Sequence, residues 1–135
     1  MKPEELQLGD IVTTTPSGMP IKVAAIHRKK VAYHARTDRF SWVRIGLLQP
    51  IPLTAEILGK NFKSTELPDD PYGAYFFGGD DKIKIYIREH TDGLWKVDVD
   101  EIEIGGMRSW RMYVSNVHEL QHVIRLCEID KEIEL

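Results

Sequence analysis

Along residues 1–52 the apolar positions come in short runs broken by polar turns, which is the spacing of strands and not of helices. Leu8-Gly9-Asp10-Ile11-Val12 leads into a strand ending in the β-favouring Thr13, Thr14 and Thr15. Thr15-Pro16-Ser17-Gly18 places Pro second and Gly fourth, which predicts a type I turn. Ile21 to Ile26, Val31 to Ala35 and Phe40 to Ile45 then read as three further strands. Strands this short and this closely spaced predict a small SH3-like β-barrel over residues 1–52.

The pattern changes at Pro50-Ile51-Pro52-Leu53, where each proline holds its predecessor in extended backbone. Thr54 is placed to cap a short helix over Ala55 to Lys60, with Glu56 in its first turn. The polar stretch 64–73, STELPDDPYG, reads as a loop and a candidate lobe boundary. Beyond it, Ile83, Ile85 and Ile87 alternate with Lys84, Tyr86 and Arg88, as do Trp95, Val97 and Val99 with their neighbours. Thr91-Asp92-Gly93 and Gly105-Gly106 mark hairpin turns, and Trp110, Met112 and Val114 alternate toward a final helix. The predicted fold is therefore α+β. The SH3-like barrel of residues 1–52 is followed, over 53–135, by a short helix, an antiparallel meander and one packed C-terminal helix, the whole forming one compact unit.

In the final helix Val117, Leu120, Ile124 and Cys127 fall on one stripe at about 100° per residue, with Val123 at its edge. Asn116 precedes it as an N-cap, and Glu119 stands at the spacing of a capping box. Residues 118–122 also spell HELQH, the H-E-x-x-H pattern in which two histidines bind zinc and the glutamate is the general base. His118 and His122 lie opposite the apolar stripe, facing solvent or a cleft. The extended zinc motif places Gly and His where this chain has Arg125 and Glu128. Glu128, Asp130 or an upstream carboxylate would have to supply the third ligand, and the Arg125 guanidinium opposes a divalent cation nearby.

Composition narrows the classes. Hydrophobic content of 42% and charged content of 29% are ordinary globular values. No apolar run is long enough to span a bilayer, and the polar start MKPEELQLGD reads as a mature N-terminus without a signal segment. A single cysteine, Cys127, cannot form an internal disulfide, so a reducing, cytoplasmic setting is expected. The net charge of −3 conceals an asymmetry: residues 1–52 hold eight Lys/Arg against four Asp/Glu, and residues 53–135 hold ten against seventeen.

Three stretches carry a resemblance. LQLGDIV (6–12), LLQPIPLTAEIL (47–58) and VHELQHVIRLCEIDKEIEL (117–135) are similar to a family of short uncharacterised proteins from gut anaerobic bacteria and their prophages. Members of that family often carry VHQLQN at the helix start, where no zinc pair is possible. The resemblance implies that this helix is an architectural signature, with HELQH as one spelling of it, and it transfers no activity to any residue.

The remaining chemical signal lies in the basic segment, where Arg28, Lys29, Lys30, Tyr33, Arg36, Arg39, Phe40, Trp42 and Arg44 interleave cations with aromatics, joined by His27 and His34. Exposed aromatics can stack on bases while the cations neutralise phosphates; alternatively Trp42 plugs a barrel end and the charges are solvated. Asp98, Asp100, Glu101 and Glu103 lack the ordered ladder of a calcium loop and read as the solvent face of a strand. The preferred reading is a non-enzymatic interaction module that binds nucleic acid or protein through the basic N-terminal lobe, with no cofactor and no catalytic residue. The alternative is a minimal zinc metallohydrolase using His118 and His122, with Glu119 as base.

Overall fold

In the computed structural model, which describes residues 1–35, 39–65, 74–78 and 82–135 (Thr65 by its backbone only), the chain is α+β, with antiparallel strands in three sheets and two α-helices among the described residues. It divides into two compact units. One comprises Met1–Ile51 with Asn116–His122, the other Pro52–Ser115 with Val123–Leu135. The candidate loop at 64–73 falls mostly on residues outside those described.

The first unit holds β1 (Ile11–Thr14), β2 (Pro20–Lys22), β3 (Ala25–His27), β4 (Lys30–His34), β5 (Phe40–Arg44) and β6 (Leu48–Pro50). They form two antiparallel three-stranded sheets, ordered β2-β1-β6 and β3-β4-β5. The single strand expected over Ile21 to Ile26 is broken at Val23 and Ala24. There Val23 bonds back to the first sheet (its N–H to Asp10 O, 2.9 Å; its C=O from Gly9 N–H, 2.7 Å), while Ala24 N–H already donates to Ala32 O in the second (2.8 Å). One chain thus feeds both sheets, but among the described residues they do not close into a barrel. Val12, Ile21, Val23, Val31, Ile45 and Leu48, with Leu6, make one core. The turn after β1 also differs from expectation. Gly18 N–H closes it on Thr14 O at 2.7 Å, one residue wider than a four-residue turn, with Gly18 at a φ of 65°.

In the second unit α1 (Ala55–Asn61) begins where the sequence placed it, with Thr54 Oγ1 accepting from Ile57 N–H at 3.3 Å. β7 (Lys63–Thr65), β8 (Ala74–Gly78), β9 (Ile83–Thr91), β10 (Leu94–Glu103) and β11 (Gly106–Val114) form one antiparallel sheet ordered β11-β10-β9-β8-β7. The alternation is that of the sequence: Ile85, Ile87, Trp95, Val97 and Val99 are buried, and the residues between them are not fully so. Of the acidic positions expected on the solvent face, Asp98 and Asp100 are there, Asp98 bonded to Arg111 Nε at 2.6 Å and Asp100 to Ser109 Oγ at 2.8 Å. Strand parity instead places Glu101 and Glu103 on the same face as Val97 and Val99, at its exposed end. The C-terminal segment, which the sequence pattern left without a role, docks on α1. Ile133 is buried, and Asn61 exchanges hydrogen bonds with the Glu134 backbone at 2.6 and 2.7 Å.

The second helix, α2 (Val117–Leu126), contributes residues to both units. Its stripe Val117, Leu120, Val123, Ile124 and Cys127 is buried throughout. Burial, with Glu101 adding to it, pushes the Cys127 thiol up to about 11, so the group is packing and not a nucleophile. Past the helix end Glu128 takes a φ of 57°, while Ile129 N–H reaches back to Ile124 O at 3.2 Å. Among the described residues no helix is long and apolar enough to cross a membrane.

Candidate functional site

Cross-strand register decides which basic and aromatic side chains share a face. Lys30 lies opposite Arg44, Ala32 opposite Trp42 and His34 opposite Phe40, while β3 sets His27 against Lys30 and Ala25 against Ala32. Side chains alternate along strands, so these positions form one face, and Val31, Tyr33 and Val43 form the other. The second face is interior: Val31 belongs to the core, and Tyr33 and Val43 pack against it. The first is therefore exterior, and Phe40 and Trp42 stand 56% and 52% exposed on it. His27 meets Trp42 edge-on at 6.5 Å between centroids, and His34 lies tilted on Phe40 at 4.3 Å. Between them Ala32 is fully buried and Ala25 half-buried.

Among the described residues, charge on this face has one sign. No Asp or Glu occurs in the three strands. Lys30 and Arg44 are exposed and directly opposed, an arrangement that repels unless an anion lies between them. Arg28 and Lys29 form the loop joining β3 to β4 and are exposed, with Arg28 held at a φ of 55°. Of the residues singled out from sequence, Arg28, Lys29, Lys30, Phe40, Trp42 and Arg44 are thus gathered on one sheet and its loop. Arg39 is exposed beside Phe40, its carbonyl accepting from Ala35 N–H at 3.1 Å. Tyr33 lies on the opposite face, half-buried against the core, because its strand parity turns it inward. Arg36 lies outside the described residues.

The HELQH segment builds a different place. Asp10 is 0% exposed; its Oδ2 accepts from Gln7 N–H at 2.8 Å and lies 2.8 Å from His122 Nε2. Gln121 reinforces the join, accepting from Ile11 N–H at 2.9 Å and donating to Gly9 O at 3.1 Å. Glu119 Oε1 accepts from Asn116 Nδ2 at 2.7 Å, so the expected capping partners meet side chain to side chain. His118 faces a cleft, one of the two settings its helical phase allowed. It is 5% exposed, its buried Nδ1 has no hydrogen-bond partner, and its ring stands edge-on to His122 at 5.7 Å. A cavity of about 500 Å³ opens here, lined by Glu4, Glu5, Asn116, His118, Glu119 and His122 among others, with no hydroxyl or thiol among the described residues that line it.

This arrangement does not assemble the zinc alternative. Among the described residues no group of three or more His, Cys, Asp or Glu converges to hold a metal ion, whereas a catalytic zinc takes three protein ligands. His122 Nε2 is engaged by Asp10, and Glu128 sits past the helix end in left-handed backbone. Asp10 is the residue that sequence reasoning did not single out. A Gly-Asp step before a strand reads as an ordinary turn, and its partner is 112 positions away.

Burial holds His118 below the ordinary imidazole value of 6.5, against the pull of the Asp10, Glu119 and Glu5 carboxylates and with His122 adding to the lowering. The unfolded chain therefore takes up this proton first on acidification. The His118 contribution to stability is complete above the unfolded value and is lost as pH falls below it. Urea unfolding followed from about pH 7.5 to about pH 5 will show falling stability, with a shallower fall in His118→Gln. An identical slope in the variant would exclude His118 as a source.

Compared with protein-family models, with curated proteins and with solved structures, the chain finds no match.

Proposed function

We propose that the protein is a non-enzymatic interaction module that binds single-stranded nucleic acid on the outer face of β3-β4-β5. The observation that carries this reading is the exposure of Trp42 and Phe40 on a face whose charged groups, among the described residues, are all cationic. Stacking on an aromatic ring is open to any base, and the opposed Lys30 and Arg44, with Arg28 and Lys29 beyond them, supply phosphate neutralisation. We also read the six strands of this unit as an SH3-like arrangement left open. The support is the passage from β2 to β3 through Val23 and Ala24 and the single core beneath both sheets. The likeness of 6–12, 47–58 and 117–135 to the short prophage-associated proteins is kept as part of the same proposal, as is a cytoplasmic setting, which rests on the single cysteine.

Fluorescence anisotropy with labelled single-stranded and duplex oligonucleotides at low salt tests it. Binding will weaken steeply with added salt, and replacing Arg28, Lys29 and Lys30 together by Ala will weaken it across all sequences. Trp42→Ala will cost single-strand affinity about 5- to 150-fold, the equivalent of roughly 1–3 kcal/mol per stacked base, and will spare duplex binding. Absence of binding to DNA or RNA of either form at low salt would discard the nucleic-acid reading and leave a protein partner as the occupant of this face.

A further inference from the structure

β11 is the outer strand of the five-stranded sheet, nine residues long, and its side chains from Gly106 to Tyr113 are exposed except for the half-buried Trp110. We propose that the protein self-associates by antiparallel pairing of β11 with β11 of a second copy, centred on Trp110. The phase of the strand sets this register. Ile104-Gly105 is a two-residue loop between the paired Glu103 and Gly106. Residues flanking such a loop exchange hydrogen bonds, and bonded and non-bonded pairs then alternate along the hairpin. Glu103, Glu101, Val99 and Val97 accordingly bond toward β11. Ile102 points the other way, and its N–H donates to Lys82 O at 2.7 Å. On β11, Met107, Ser109, Arg111 and Tyr113 therefore turn their N–H and C=O groups to the edge that no described strand pairs.

These four positions are symmetric about Trp110. A two-fold axis there pairs Met107 of one copy with Tyr113 of the other, and Ser109 with Arg111. Each such pair exchanges two bonds, so about eight main-chain hydrogen bonds form across the axis. The side chains match in the same register. Met107 and Tyr113, 65% and 46% exposed, cover each other, and Arg108 meets Met112. The two Trp110 rings meet at a non-hydrogen-bonded site, where facing side chains approach most closely and aromatic pairs are favourable. No two like charges are opposed, and Arg111 is already held by Asp98 at 2.6 Å. The opposite edge of the sheet lacks these features, since β7 is three residues of sequence Lys-Ser-Thr.

Sedimentation velocity of the full chain from about 10 to about 500 µM reads the outcome directly, because an interface this small dissociates in that range. The mass will rise from one chain to two with concentration. Met107→Lys with Tyr113→Lys will remain monomeric, since the two lysines then face each other across the axis, and Met107→Lys with Tyr113→Glu will restore the dimer. Both positions are exposed, so circular dichroism will show native structure in each variant. Hydrogen exchange on the unmutated protein supplies a second readout: the amides of Met107, Ser109, Arg111 and Tyr113 will slow with concentration, and those of Arg108 and Trp110 will not. A monomer throughout the range, a dimer indifferent to the paired lysines, or a charge-swapped variant as weak as the double lysine would each overturn the proposal. A monomer whose β11 amides are protected by a different protein would overturn it in favour of that partner.

Discussion

Replacing Asp10 by Ala will lower the unfolding free energy of the protein by roughly 3 kcal/mol, measured from denaturant midpoints at neutral pH. Asp10 is fully buried and bonds both Gln7 N–H and His122 Nε2. Its loss takes the acceptor from the part-buried Gln7 N–H and removes one of the ties between loop 9–11 and the helix turn at Gln121 and His122. An unsatisfied buried donor or acceptor costs about 1–3 kcal/mol. The expected value lies near the top of that range because Gln7 N–H and His122 Nε2 both lose Asp10, even though the His122 side chain, 24% exposed, can recover a water. Asp10→Asn keeps the shape and one acceptor, so it will cost less. A change below about 1 kcal/mol in the alanine variant would mean that Asp10 does not join strand to helix.

Trp95→Ala will cost about as much or more, roughly 3–5 kcal/mol, because it removes the largest side chain buried in the second unit's core. Trp95 also performs a polar task that Ala and Phe both fail. Its Nε1–H donates to Leu53 O at 3.0 Å, holding the extended segment before α1, and its ring meets Tyr75 edge-on at 6.2 Å. Trp95→Phe keeps most of the volume and leaves the Leu53 carbonyl unpaired, a cost of about 1–3 kcal/mol. The two variants thus divide packing from hydrogen bonding. If Trp95→Phe proves neutral, the Leu53 bond contributes nothing; if both variants unfold alike, the bond matters more than the packing.

Much of this protein was determined by residues close to one another in the chain. The meander followed from the alternation of Ile83, Ile85 and Ile87 with Trp95, Val97 and Val99. Thr54 announced α1, and the stripe of Val117, Leu120, Ile124 and Cys127 announced the buried side of α2. Side-chain parity and helix capping act within a few residues, so each is legible without knowing the partner. The tertiary structure decided what depends on a second segment. Phe40-Ser41-Trp42-Val43-Arg44 carries large groups on both faces, and only the packing of Val31, Tyr33 and Val43 into a core turned Trp42 outward. The strand over Ile21 to Ile26 broke because Val23 and Ala24 found partners in different sheets. Asn116–His122 belongs with the N-terminal unit because Gln121 and His122 satisfy polar groups at Gly9, Asp10 and Ile11, across more than a hundred residues of chain. A buried polar group must be paired, but local sequence pattern does not say by whom; that choice belongs to the fold.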